Sequence, residues 1–198
     1  MTLRDDYQRR YEGLLLPLSD EISKHLDNYL LPNDRIVSIE VRPKSVDSFV
    51  DKANKKNEDK TSKYTDPLKE IQDQIGARIV TYFKSDVEQI ENKVLEIYRP
   101  IEKKEFVPDK ETEFGYMGKH MVLFVPSDFD RFGKALTFFE LQIKTLFQFA
   151  WSEANHDIGY KPSSDIKSIH KRKIAFTAAQ AWGADQIFDE IVDELSAK

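Results

Sequence analysis

Phe138-Phe139-Glu140-Leu141-Gln142-Ile143-Lys144 is the stretch on which the fold turns. In an extended chain Phe139, Leu141 and Ile143 fall on one face, and Glu140, Gln142 and Lys144 fall on the other. Apolar residues on both sides mark it as a central strand rather than an edge. A carboxylate, an amide and an ammonium in succession form either a buried salt-bridge network or one wall of a polar cleft. Enclosing three such groups in a closed core is costly, which favours the cleft.

Outward from this strand (Thr137–Lys144 in full), alternation predicts four more, at Ile36–Arg42, Ala77–Phe83, Ile101–Val107 and His120–Val125. In the first, Val37, Ile39 and Val41 face one way and Ser38, Glu40 and Arg42 the other. Three-four spacing of Tyr7, Tyr11, Leu14, Leu15, Leu18, Ile22, Leu26 and Leu30 predicts a helix over Asp6–Leu31, kinked or divided by Pro17. Ser45 reads as the N-cap of a helix running to about Lys56, and 57–66 as a polar, mobile loop. A short helix over Leu68–Gln74 precedes the second strand, and Lys84-Ser85-Asp86 caps a helix ending near Tyr98, its buried set Val87, Ile90, Val94, Leu95 and Ile97. Leu146 to about Gly159 and Ile166 to Leu195 close the chain as helices. The long polar connection between the third and fourth strands points to an antiparallel hairpin. The expected class is therefore α+β, a mixed, mostly five-stranded sheet packed by helices, not a doubly wound parallel sheet. One domain is expected over 1–198, with a helical N-terminal extension (1–34), a sheet core (35–161) and a C-terminal helix (162–198).

The bulk numbers exclude several classes. With 198 residues, 40% hydrophobic and 12% aromatic, the chain can bury a real core. The absence of cysteine removes disulfides, thiolate nucleophiles and Cys-based zinc sites, and fits a reducing cytoplasm. No apolar run approaches a membrane span, and Met1 to Asp6 lacks a signal-like apolar region. A net charge of −5 argues against broad nucleic-acid binding. Basic residues nevertheless cluster over 42–63 and 167–173, a pattern compatible with polyanionic small-molecule substrates or with solvated helix faces.

Several residue groups could carry chemistry. Asp73, before the Gly76 turn, is either a capping residue or one half of a pair that, with Glu140, holds Mg²⁺. Arg42, Lys44, Ser45, Lys52, Lys55 and Lys56 could grip a triphosphate, with arginine also able to stack on a base; as a bare charge run they are a solvated face. In 114–120, Gly115 and Gly118 allow an unusual backbone path, Tyr116 offers a ring for stacking, and Lys119 and His120 supply phosphate-type donors. A lone histidine at a strand start is also a common structural residue. No P-loop or dinucleotide-binding glycine pattern occurs. The four histidines (His25, His120, His156, His170) lack metal-ligand spacing, which disfavours a zinc enzyme.

In order along the chain, these pieces resemble the synthetase domain of the RelA/SpoT family, and closely its small single-domain alarmone synthetases. The Arg-x-Lys-Ser segment with spaced basic residues is Arg42 to Lys56. Asp-x-x-Gly-x-Arg is Asp73 to Arg78, Gly-Tyr-x-Ser-x-His is Gly115 to His120, and Glu-x-Gln-Ile-Arg-Thr is Glu140 to Thr145. Trp151, His156, Tyr160 and Lys161 complete the pattern. The resemblance implies an enzyme that moves the β,γ-pyrophosphate of ATP to the 3′-hydroxyl of GDP or GTP, releasing AMP. It implies that Arg42 and Arg78 sandwich the adenine while Lys44, Ser45, Lys52 and Lys55 or Lys56 hold the phosphates. Asp73 and Glu140 would coordinate Mg²⁺, Glu140 also activating the acceptor hydroxyl. Tyr116 would stack on the acceptor base, and Lys104, Lys119, His120 and Gln142 would position the acceptor or the transferred group.

Two positions depart from the pattern: Gly118 stands for the usual serine and Lys144 for the usual arginine, both near the acceptor. Family members lacking the hydrolase and sensing domains, as this sequence does, include toxins. Some of these use adenosine nucleotides or the 3′-CCA end of tRNA, and some pair with an antitoxin. The run His170–Lys173 could meet RNA or be a solvated helix face, the latter favoured. A catalytically silent nucleotide-binding module is the reading from a different class. The acceptor and any homo-oligomer stay open at this stage.

Overall fold

The computed structural model describes residues 2–31, 35–110, 113–126, 129, 136–160 and 166–197, with only the backbone of Gly159 and Tyr160. The chain opens with α1 (Leu3–Arg10), a π-helical turn at Tyr11–Leu15, and α2 (Leu16–Leu30). Pro17 has no N–H to give the Gly13 carbonyl, so the turn ahead of it widens and Leu16 N–H bonds back to the Tyr11 carbonyl. The expected division is therefore made just before the proline. Leu18, Ile22, Leu26 and Leu30 are fully or almost fully buried. At about 1.5–3 kcal/mol for each such side chain, this helix is a structural layer of the fold rather than an appendage.

Five strands follow: β1 (Ile36–Pro43), β2 (Ile75–Thr81), β3 (Pro100–Phe106), β4 (Gly118–Phe124) and β5 (Phe138–Thr145). They form one sheet in the order β1-β2-β5-β4-β3. The β2–β5 pair is parallel and the other three are antiparallel. The expected mixed sheet, β3–β4 hairpin and central position of β5 are all present. A bulge between Ile36 and Ser38 moves the buried position to Ile36 and leaves Val37 38% exposed. Strict alternation had put Val37 on the buried face; the extra residue breaks it.

Between strands lie the helices α3 (Val46–Ala53), α4 (Pro67–Glu70) and α5 (Lys84–Ile97), and after β5 come α6 (Leu146–Tyr160) and α7 (Ser168–Ser196). Ser45 caps α3 as expected, its Oγ accepting from Ser48 N–H at 3.3 Å. That helix stops at Ala53, not near Lys56, because the chain turns back: Lys56 bridges Ser62, and Lys63 N–H bonds to the Lys55 carbonyl at 3.0 Å. At the head of α5, Asp86 accepts from Phe83 N–H. Val87, Ile90 and Val94 of that helix join Leu141 and Ile143 of β5 in the main core. The apolar face of β5 is thus sealed, and its polar face is left for other purposes. Among the described residues no helix is long and apolar enough to cross a membrane.

Candidate active site

Strand register gathers the polar face. One row of paired residues crosses all five strands, Glu40–Arg78–Gln142–His120–Lys104. The neighbouring row runs Arg42–Gly76–Glu140–Val122–Glu102. Partners in a row project to the same side of a sheet. Arg42, Arg78, Glu140, Gln142 and His120 therefore share one surface although they come from four strands.

The rim of that surface is fixed by the N-terminal layer. Tyr7 stacks on Phe49 of α3 with ring centroids 3.6 Å apart and donates its hydroxyl to the Lys44 carbonyl at 2.9 Å. Arg10 holds Gln74, which donates in turn to the carbonyls of Leu68 and Ile71. The Gln74 carbonyl accepts from Lys44 N–H at 2.8 Å. These bonds tie 71–74 to the end of β1 and so position Asp73 beside Lys44.

Asp73 Oδ2 pairs with Lys44 Nζ at 3.0 Å and Lys52 Nζ at 2.9 Å. Burial by itself would raise its pKa, but the two ammonium groups outweigh it and hold the carboxyl below the ordinary value. The second oxygen, Oδ1, is buried and without a hydrogen-bond partner. A buried carboxylate oxygen left unpaired in a charged site is where a cation or a ligand proton would be expected.

Facing it, His120 Nδ1 lies 2.8 Å from Glu140 Oε1, and His120 Nε2 lies 2.6 Å from the Tyr116 hydroxyl. A carboxylate only accepts, so Nδ1 carries the proton, and in the neutral imidazole Nε2 then accepts from Tyr116. Burial, then the charge of Glu140, pushes the tyrosine pKa well up and keeps it a donor. Arg78 packs over the Phe149 ring at 4.3 Å and is held by Glu40 and by Glu153, the latter at 2.8 Å.

Of these groups Glu40, Lys44, Asp73, Arg78 and Glu140 wall a cleft of about 390 Å³, together with Tyr11, Arg42, Ser45, Ser48 and Gln142, and His120 and Tyr116 reach it through Glu140. An adjoining cavity of about 220 Å³ shares Asp73 and Glu140 and adds Lys52 and Tyr64. The arrangement offers cations for phosphates, two carboxylates, and a proton-bearing chain at one end.

Residues 41–165 match the region found in RelA / SpoT proteins. The chain belongs to the RelA/SpoT family. A relative in Bacillus subtilis strain 168, the GTP pyrophosphokinase YjbM, is 26% identical over 159 residues, covering 78% of this chain and 71% of that protein. The fold is shared with the small alarmone synthetase 1 from Bacillus subtilis (TM-score 0.76, 22% identity, 96% of this chain and 100% of that one). The same protein bound to its product pppGpp aligns with TM-score 0.71 at 21% identity, covering 97% of each chain.

Within this RelA/SpoT chain the structure brings most of the expected residues together, but not all. Arg42, Lys44, Ser45, Asp73, Arg78, Glu140 and Gln142 line the main cleft, and Lys52 the adjoining cavity. Lys55 and Lys56 are exposed in the turn after α3 and line neither cavity. Lys104 is exposed on β3, its Nζ 4.5 Å from the Phe106 ring centroid. Lys119 is on the reverse face, bonded to Glu91 at 2.6 Å. Adjacent strand residues point oppositely, so it cannot share the surface of His120.

Lys144, expected in the cleft, is enclosed instead. Its Nζ lies 4.7 Å from the Tyr116 ring centroid and 3.4 Å from Ser152 Oγ, because Tyr116 covers it and α6 starts immediately after β5. Burial, then Arg78, pulls its pKa down to about 8. The two departures from the family pattern are neighbours. A Cβ at Gly118 would meet the Tyr116 hydroxyl at 3.2 Å and Lys144 Cγ at 3.3 Å, so the serine of the pattern would crowd this lysine. Tyr116 is half-buried, with the Lys144 ammonium over its ring, and is less open than its sequence setting suggests. Lys161 lies outside the described residues. Glu40 and Glu153, which hold Arg78, and Tyr11, which walls the cleft, were not among the expected residues. Of these only Glu40 carried a signal, its place between Ser38 and Arg42 on the polar side of β1.

Proposed function

We propose that the chain is a nucleotide pyrophosphokinase, a single synthetase unit that transfers the β,γ-pyrophosphate of ATP to the 3′-hydroxyl of GDP or GTP and releases AMP. The observation that carries this reading is that Asp73, paired with Lys44 and Lys52, and Glu140, bonded to His120, wall the same cleft. Family membership, the GTP pyrophosphokinase relative and the pppGpp complex of a protein with the same fold support the choice of guanosine nucleotides.

In this reading Arg42 and Arg78 flank the donor base. Lys44 and Lys52 bind the phosphates, and Ser45 sits beside them at the head of α3. Glu140 accepts the acceptor's 3′-hydroxyl proton while His120 orients the carboxylate. Gln142 lies next to Glu140 on the same strand face and donates to the acceptor or the moving group. Tyr116 forms the acceptor end. Asp73 and Glu140 fit a Mg²⁺ ion, since Oδ1 of Asp73 is unpaired and both carboxylates wall the adjoining cavity. Mg²⁺ takes only a few protein carboxylates and completes its shell with phosphate and water oxygens. When bound, Mg²⁺ neutralises phosphate charge.

The test is AMP release from ATP and Mg²⁺ with GDP, GTP, ADP or bulk tRNA offered separately, resolved by anion-exchange chromatography. Stoichiometric AMP and a 3′-pyrophosphorylated guanosine nucleotide are expected. Product with ADP or tRNA alone would replace the acceptor and keep the chemistry. No AMP with any acceptor, from folded protein that binds ATP, would overturn the enzyme reading.

A further inference from the structure

A separate cavity of about 380 Å³ lies between the start of α5, the middle of α7 and the β3–β4 end of the sheet. Its size falls within the range of small-molecule sites. It holds none of the donor-side residues. Its walls include Lys84, Glu88, Glu105, Phe106, Trp182 and Asp185.

Asp185 is the unusual member. It is only 3% exposed; Oδ2 accepts from Thr145 Oγ1 at 2.8 Å, and Oδ1 is buried with no partner. Burial, partly offset by the Thr145 bond, pushes this carboxyl up to about 6. An acceptor left unpaired in a walled cavity asks for a donor from outside the chain. Trp182, one helical turn before Asp185, adds a broad aromatic wall and is 42% exposed. The charge balance narrows the ligand. Glu88, Glu105 and Asp185 outnumber Lys84 and Lys119, and Lys119 is already bonded to Glu91. A polyphosphate is disfavoured here; an uncharged planar ring with paired N–H donors is favoured.

We propose that this cavity is a binding site for a guanine-type base, as a nucleoside rather than a nucleotide, with Asp185 accepting from the N–H edge and Trp182 packing on the ring. Met117 and Gly118 also wall the cavity, and Phe114 packs on Trp182 at 5.7 Å, so an occupant touches the segment that carries Tyr116. The site stands on its own geometry, whether or not the reaction proposed above is correct.

The experiment is a guanosine titration of the full chain carrying Glu140→Gln, which separates binding from turnover. Trp151→Phe leaves Trp182 as the sole tryptophan reporter, and its emission is read after correction for nucleoside absorption. A saturable change is expected, at least about tenfold weaker in Asp185→Asn, because that amide presents N–H to N–H. Adenosine and GDP should each bind more weakly than guanosine. If Asp185→Asn does not fold, Val107→Phe serves instead, placing bulk at an exposed position of the wall without adding a tryptophan, and should abolish the signal. No saturable change up to millimolar guanosine, an equal response to adenosine, or binding that survives whichever of these variants folds would overturn the proposal. So would a signal lost in Tyr116→Ala but kept in Asp185→Asn, which would assign guanosine to the acceptor end of the main cleft.

Discussion

Glu140→Gln separates chemistry from architecture at this site. The amide keeps the shape of the carboxylate, and its oxygen can still accept from His120 Nδ1–H, now 2.8 Å from Glu140 Oε1. What is lost is a charge-assisted bond exchanged for a neutral one at a side chain 24% exposed, a change of about 1 kcal/mol. In a chain of 198 residues that is a shift of about 2–4 °C in Tm. On the role proposed for Glu140, the proton acceptor for the 3′-hydroxyl is removed outright, and general-base loss should lower turnover by about 10²–10⁴. The assay pairs AMP release at saturating ATP with thermal denaturation of the same preparation. A variant with unshifted Tm and turnover within tenfold of the parent would refute the role given to Glu140. A variant that loses more than about 8 °C would show that the carboxylate is chiefly structural.

Four further outcomes are expected. In Asp73→Asn, Mg²⁺ should no longer enhance ATP binding in calorimetry. Because the Asp73 pKa is depressed in the folded state, its ionisation adds stability above the unfolded carboxylate pKa, and that contribution disappears as pH falls through the lower folded value. The difference in Tm between parent and variant should therefore narrow below about pH 4. Lys144→Met runs the other way: a buried lysine with its pKa lowered to about 8 opposes folding while charged. The variant should be more stable than the parent by roughly 1–3 kcal/mol at pH 7, an advantage that shrinks as pH rises above 8 and is read by denaturant titration. Tyr116→Ala should raise the acceptor KM well above any change in the ATP KM; equal changes would count against its place at the acceptor end. Gly76→Ala puts a methyl group where nothing lies within 4 Å, so Tm should hold within a few degrees while the KM for ATP rises.

What could be read from the sequence was what period-two alternation reaches. Glu140, Gln142 and Arg78 emerge from parity along single strands, and register then sets them side by side. The same parity, carried one step further, places Lys119 opposite His120; reading the two as joint phosphate donors overlooked it. Interactions between distant segments were out of reach. Glu153 meets Arg78 from 75 residues away, and Tyr7 reaches the Lys44 carbonyl from 37. The bulge in β1 depends on where β2 pairs, so the alternation of β1 by itself gives Val37 the wrong face. Lys144 is a similar case. Strand parity gives its side correctly, but its enclosure comes from Tyr116 and Ser152, which only the tertiary arrangement brings there.

The row Arg42–Gly76–Glu140 has a consequence for substrate size. Two adjacent strand pairings separate the backbones of Arg42 and Glu140 by about 10 Å, and the residue between them contributes no side chain. The cleft thus contains a ruler made of main-chain hydrogen bonds. Exchanging side chains along it retunes affinity without changing its length, whereas altering the span requires shifting a central strand out of register, which would turn the sealed face of the sheet towards water. Reach is therefore hard to alter at this site, and preference among molecules of equal reach is left to the segments around the rim.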